Sequence, residues 1–298
     1  MEYTQLGKSE LKVSQIGFGC MSLGTDLETG RGIIERAIEL GINYFDTADL
    51  YDKGLNEEIL GTILKDKRDK IVLATKVGNQ WRADGSGWDW NPRKEYIIKT
   101  SEESLRRLKT DYIDLYQLHG GTIDDNIDET IEAFEILKQQ GKIRYYGISS
   151  IRPNVIREYA QRSQIVSVMM QYSLLDRRPE ESCLDFLLQK SISVVTRGSI
   201  AQGLLTGKPP KMYLNYDEEE VDTIAKAVRF VGGEKRSPAQ TALHYVLQQQ
   251  AVASAVVGIR TIVQLQDAAG TPSTPLLTKA EINFLREAIK QNYYEQHR

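Results

Sequence analysis

Eight short apolar runs rich in β-branched residues recur along this chain, each followed by a longer amphipathic stretch, and this rhythm limits the fold more than any other feature. The runs are IGFGC (16–20), NYFDT (43–47), KIVLAT (70–75), YIDLYQL (112–118), IRYYGIS (143–149), VSVMMQ (166–171), ISVVTR (192–197) and ASAVVG (253–258). In the stretches between them apolar residues return every three or four positions, as on one face of a helix, and Gly41 and Gly141 stand where helices should stop. Strands that alternate with helices pair in parallel through right-handed crossovers, and eight such units close most simply into a ring with no free edge. The predicted fold class is α/β, a (β/α)8 TIM barrel; a doubly wound open sheet is the alternative. Two additions are expected. A turn centred on Gly7 between alternating residues predicts an N-terminal β-hairpin, and Thr278 with Glu281 three residues later predicts a capped extra helix over 278–290.

At 298 residues, length alone leaves one or two domains open, but there is no Pro/Ser/Gly-rich linker and no break in composition, so one barrel domain over 1–298 is expected. Charged residues make up 27% and the formal charge is -3 with no local Lys/Arg cluster, which argues against nucleic acid as a partner. The longest uncharged apolar stretches are too short to span a bilayer, and MEYTQLGKSELKV has no basic start followed by an apolar run, so a cytoplasmic protein is expected. Cys20 and Cys183, the only cysteines, read as reduced core thiols. A monomer or small homo-oligomer is expected.

In a parallel barrel, chemistry gathers at the C-terminal ends of the strands and in the loops that follow. Asp46 closes NYFD, Tyr51 follows in TADLY, Lys76 follows KIVLAT and His119 follows YIDLYQL, so four different titratable groups fall on three neighbouring strand ends. Taken singly, such residues are often caps, packing or solvated charges. Together they make a proton-transfer site. A phenol is a weak acid, and a nearby ammonium makes its proton easier to release; Lys76 can be that ammonium, held by Asp46, while His119 donates to a substrate oxygen. The set fits reduction of a carbonyl. Three histidines, His119, His244 and His297, cannot assemble the ligand sets of a metal-dependent barrel hydrolase, and no metal site is expected.

Two glycine patterns mislead. GFGCMS begins like a dinucleotide fingerprint but has Ser22 in place of the third glycine, and GLLTGK is one residue short of a phosphate loop. The loop QWRADGSGWDWNP places Trp81, Trp88 and Trp90 after the third strand, either as an aromatic rim for a substrate or as a loop packed on itself.

GFGCMSLG, NYFDTADLYDKGLNEEILG, LATKVG, DYIDLYQLH, GKIRYYGIS, QYSLLDR and AQGLLTGK succeed one another as in the aldo-keto reductases, and the chain resembles that family over most of its length. The resemblance implies a barrel whose base is covered by the hairpin, NADP(H) at the C-terminal end of the strands with NAD(H) as a possible second cofactor, and hydride transfer to a small-molecule carbonyl substrate. It implies Tyr51 as general acid/base, Lys76 and Asp46 as the pair that tunes it, and His119 as the group that orients the carbonyl. For the cofactor it implies Ser149 and Gln171 on the nicotinamide carboxamide, with Ser150 where the family usually has Asn. Arg197 stands where a tyrosine usually stacks on the ring, and a guanidinium plane can stack in its place. Leu204, Thr206 and Lys208 correspond to residues over the pyrophosphate. Gly19, Cys20, Met21 and Asp46, the segment Gly198, Ser199, Ile200, Ala201 and Gly203, and Gly258 complete the implied lining. Arg260 and Gln264 correspond to contacts with the adenosine 2′-phosphate and Asp267 to one near adenine, with Ala268 where Asn is customary. Arg260 favours NADP(H), because a guanidinium pairs bidentately with phosphate. The same resemblance leaves open a non-enzymatic nicotinamide-binding subunit, like the barrel partners of potassium channels.

Overall fold

The computed structural model describes residues 1–298. The chain opens with the expected hairpin, β1 (Tyr3–Gln5) antiparallel to β2 (Lys12–Ser14), with Gly7 at φ 55° in its turn. Next come β3 (Ile16–Gly19), β4 (Tyr44–Asp46) and β5 (Val72–Val77). A small antiparallel hairpin, β6 (Asn79–Trp81) and β7 (Trp88–Trp90), follows. The chain then supplies β8 (Ile113–Leu118), β9 (Ile143–Ser149), β10 (Ser167–Gln171), β11 (Ser193–Arg197) and β12 (Val252–Gly258). Strands β3, β4, β5, β8, β9, β10, β11 and β12 pair in parallel and close on themselves through β12 and β3, so the eight predicted strands form one barrel.

Around the barrel lie α1 (Leu27–Glu39), α2 (Leu55–Leu64), α3 (Lys94–Leu108), α4 (Ile127–Gln139), α5 (Pro153–Arg162), α6 (Cys183–Gln189), α7 (Glu218–Gly232), α8 (Pro238–Leu247), α9 (Ile262–Ala269) and α10 (Lys279–Glu287). Their ends follow local chemistry. Gly41 and Gly141 take φ 87° and 72° just after α1 and α4, the left-handed step that glycine makes at least cost. Asp217, Ser237 and Thr278 form reciprocal capping boxes at α7, α8 and α10.

The last helix begins at its predicted cap but stops at Glu287, short of position 290. Beyond it the backbone is taken by other partners: Tyr216 Oη donates to the Lys290 carbonyl at 2.7 Å, Glu181 Oε2 accepts from Tyr294 N at 3.1 Å, and Asn154 N donates to the His297 carbonyl at 2.9 Å. Those bonds draw the final residues out of helix and across the barrel mouth.

Two apolar cores result. The larger lies between the strands and the helices. The smaller fills the barrel interior, where Leu6, Leu11 and Val13 of the hairpin region pack on Tyr44, Val72, Leu115, Met169 and Val195. Fully burying a Leu or Val stabilises by ~1.5–3 kcal/mol, so these side chains hold the hairpin as a plug at the N-terminal end. Cys20 and Cys183 are free and buried. No helix is long and apolar enough to cross a membrane.

Candidate active site

Asp46, Tyr51, Lys76 and His119 meet at the open end of the barrel. Asp46 ends β4, Lys76 is the next-to-last residue of β5 and His119 follows β8 directly, its N–H bonded to the Val77 carbonyl at 2.7 Å. Lys76 Nζ donates to Asp46 Oδ1 at 2.5 Å, to the Thr47 carbonyl at 2.7 Å and to Tyr51 Oη at 3.4 Å. The Tyr51 and His119 rings stand edge to face, 5.9 Å between centroids. All four residues line one cleft.

The electrostatics follow from burial. Lys76 is 1% exposed; burial alone would lower its pKa, but the Asp46 carboxylate and Tyr51 outweigh it and hold the ammonium above its usual range. Asp46 is pushed up by burial and pulled back by Lys76, then by its bond from Gln117. His119 is driven down to about 3, chiefly by burial and then by the Lys76 and Arg197 cations, so it is a neutral imidazole at ordinary pH. The arrangement puts a fixed cation beside a phenol and a neutral imidazole next to both, a geometry able to pass a proton to an oxygen without metal.

Gln117 belongs to this site and was missed in the sequence. It is fully buried, and its Nε2 donates to Asp46 Oδ2 at 3.1 Å. The available signal was its place two residues before His119, on the same face of β8. Barrel register sets it opposite Lys76.

The same cleft extends past Gly19, Met21, Ser149, Ser150, Gln171, Arg197, Gly198, Ser199, Ile200, Gly203, Thr206, Lys208, Gly258, Arg260 and Gln264, so most of the residues expected to hold a cofactor are brought together. Its volume of ≈ 1580 Å³ exceeds the 300–1,000 Å³ range usual for small-ligand sites and leaves room for a dinucleotide with a substrate. Gln171 is held by three bonds and keeps one acceptor site: Nε2 donates to Asp176 at 2.9 Å and to Tyr213 Oη at 3.2 Å, while Oε1 accepts a single bond, from Arg197 at 2.9 Å. Between Ala201 and Gly203 the backbone is left-handed, and Lys208 folds onto Gly203. Arg260 precedes α9, and its N–H donates to Gln264 Oε1 at 3.0 Å. Arg197, Lys208 and Arg260 have no carboxylate within ion-pair distance, whereas Arg178 is held twice by buried Asp176 at 2.7 Å. Cys20, Ala201 and Leu204 turn their side chains into the hydrophobic core, and neither they nor Asp267 line the cleft. No group of three His, Cys, Asp or Glu side chains is placed to hold a metal ion.

The three tryptophans sit on the β6–β7 hairpin outside the cleft lining, and two of them pack on neighbouring loops rather than on their own loop alone. Trp90 donates its indole N–H to Asp125 at 3.0 Å and covers Gly78 and Gly120, while Trp81 stands in register with Trp88.

Comparison with known proteins gives a consistent answer. Residues 15–290 match the model of the aldo/keto reductase family. The chain is 53% identical over 307 residues to the uncharacterized oxidoreductase YqkF of Bacillus subtilis (strain 168), covering 100% of both chains. Among solved structures it resembles aldo-keto reductase AKR11C1 from Bacillus halodurans in its holo form, with TM-score 0.94 and 52% identity over 100% of this chain and 99% of that one. Against the apo form of the same protein the TM-score is 0.86 at 50% identity, with the same coverage.

Proposed function

The chain belongs to the aldo/keto reductase family, and from that membership we propose that it reduces aldehyde or ketone carbonyls to alcohols, and runs the reverse, with a hydride supplied by NADP(H). The observation that carries this reading is Lys76 bonded at once to Asp46 and Tyr51 with neutral His119 alongside. His119 donates to the substrate oxygen and turns the carbonyl toward Tyr51. As hydride reaches the carbonyl carbon, Tyr51 Oη gives its proton to the oxygen, and the Lys76 ammonium stabilises the phenolate left behind. Asp46 keeps that ammonium in place. In the oxidative direction the same phenolate takes the alcohol proton.

The cofactor's fit rests on this chain's own groups. Ser149, Ser150 and Gln171 offer the nicotinamide amide its partners, and Arg197 offers a planar face. Lys208, folded against Gly203 at the left-handed turn and free of any carboxylate partner, supplies a cation that suits the pyrophosphate. Arg260 at the start of α9 suits a 2′-phosphate, which favours NADP(H) over NAD(H).

The test is steady-state oxidation of NADPH, then of NADH, across a panel of aldehydes, ketones and sugars. Turnover with NADPH at lower KM than with NADH is expected. Tight NADPH binding with no turnover of any carbonyl would overturn the enzymatic reading in favour of a nicotinamide-binding subunit.

A further inference from the structure

Directly after Tyr51 the backbone winds against the preference of L-residues. Asp52 (φ 49°, ψ 36°) and Lys53 (φ 55°, ψ 38°) are both left-handed, and Gly54 follows at φ 90°. Non-glycine residues crowd Cβ against the next carbonyl oxygen in this region, and two in succession persist only where neighbours fix them. Asp52 and Lys53 are exposed, so no core packing fixes their side chains.

One side chain touches the turn on both flanks of Tyr51. Trp81 Nε1 donates to the Leu50 carbonyl at 3.3 Å, on the residue before Tyr51. Lys53 Nζ lies 5.2 Å from the Trp81 ring centroid, on the residue two after it. Trp81 stands opposite Trp88 in the β6–β7 ladder. Beneath the turn, Gly54 rests on the Arg107 side chain, so closely that a Cβ would meet Arg107 Cδ and Nε at 2.9 Å. The turn is thus gripped between Arg107 below and Trp81 above, while Trp81 stays outside the cleft lining.

We propose that Trp81 is a positioning residue for Tyr51: it clamps the left-handed turn in the one conformation that sets Tyr51 Oη against Lys76 Nζ. The proposal rests on Tyr51 as the general acid. Without the clamp, Asp52 and Lys53 relax toward right-handed backbone and carry the phenol away from Lys76 and His119. The binding of cofactor and substrate is left nearly intact, because Trp81 lies outside the cleft lining.

The test combines Trp81→Phe, Trp81→Ala and the double variant Trp81→Ala/Lys53→Gly, with kcat, KM and cofactor affinity measured for each. A 3-fluorotyrosine at position 51 is observed in parallel by 19F NMR. Displacing a reacting group by about 1 Å costs up to ~100-fold, so Trp81→Ala is expected to lose roughly ten- to a hundredfold in kcat with KM nearly constant. Trp81→Phe, which keeps the ring and loses the N–H, should lose less. Glycine accepts the left-handed region without penalty, so Lys53→Gly in the Trp81→Ala background should recover most of the lost kcat. The 19F line should be single and narrow in the parent, split or broadened in Trp81→Ala, and narrow again in the double variant. An unchanged kcat in Trp81→Ala overturns the proposal, as does a loss carried in KM that Lys53→Gly does not relieve, since that would put Trp81 on the substrate. If Trp81→Ala fails to fold, Trp81→Phe decides, and parental kcat with an unmoved line counts against the clamp. If the parent turns over no carbonyl, the functional reading fails on its own and the 19F line alone judges the clamp.

Discussion

Lys76 and Gln117 stand opposite each other in the β5–β8 register and take different oxygens of one buried carboxylate, Lys76 Nζ 2.5 Å from Asp46 Oδ1 and Gln117 Nε2 3.1 Å from Asp46 Oδ2. Asp46 therefore cannot rotate without giving up one partner, and the charge that holds Lys76 is fixed in direction. A neutral amide does this without adding a second charge to a buried site.

Gln117→Leu leaves Asp46 Oδ2 buried and unpaired, where a hydrogen bond to a charged group had contributed ~1.5–3 kcal/mol. The expected result is a kcat roughly tenfold lower with KM for carbonyl and cofactor little changed. Steady-state kinetics check it; a parental kcat would mean that Lys76 alone orients Asp46.

Tyr51→Phe removes the proposed proton donor and leaves the ring against His119. General acid catalysis typically contributes about 10²–10⁴-fold, and a loss of that size in kcat is expected. Cofactor affinity, read by fluorescence titration, should stay near the parental value. Residual activity within tenfold of the parent would remove Tyr51 from its role.

His119 is held neutral, its pKa lowered by burial from 6.5 in the ordinary residue to about 3. The unfolded chain takes up this proton near pH 6.5 while the folded protein refuses it until about pH 3, so the unfolded state binds more protons between those values. His119 thus favours folding fully above pH 6.5 and loses that contribution as pH falls toward 3, with a slope of up to about 1.4 kcal/mol per pH unit. Urea denaturation of the parent and of His119→Asn at several pH values between 7 and 4 should show the parent losing stability faster on acidification. Parallel curves would contradict the assignment.

Arg260→Ala removes a guanidinium that lines the cleft without a carboxylate partner and that is proposed to hold the 2′-phosphate. A charge-assisted bidentate pair with phosphate is roughly twice as strong as a neutral bond, so Kd for NADPH should rise about ten- to a hundredfold while Kd for NADH changes little. Equal changes for the two cofactors would place the 2′-phosphate elsewhere.

The barrel was legible because its signal is periodic: eight apolar runs, each closed by a polar residue, place Asp46, Lys76 and His119 at strand ends whatever the helices do. The four ionisable groups differ from their surroundings in charge, so they stood out as well. Gln117 did not, since an uncharged residue inside a buried strand reads like any other polar break in it, and only the partner 71 positions away gives it meaning. The tail beyond Glu287 was read as helix because its own composition permits one. Contacts from Tyr216, Glu181 and Asn154, distant in sequence, pull it straight. Leu204 and Cys20 were placed by motif near the cofactor, yet an apolar side chain beside the barrel core gains more by turning inward than by facing an open cleft. The β6–β7 hairpin lay hidden in a stretch rich in Gly and Asp, where three indoles supply the order that backbone propensity does not.

The hairpin plug at the foot of the barrel fixes the direction of approach. With Leu6, Leu11 and Val13 packed into the N-terminal end, the cleft that holds Asp46 and Lys76 opens on the side of the strands' C-terminal ends. Whatever reaches Tyr51 and His119 arrives and departs by that face.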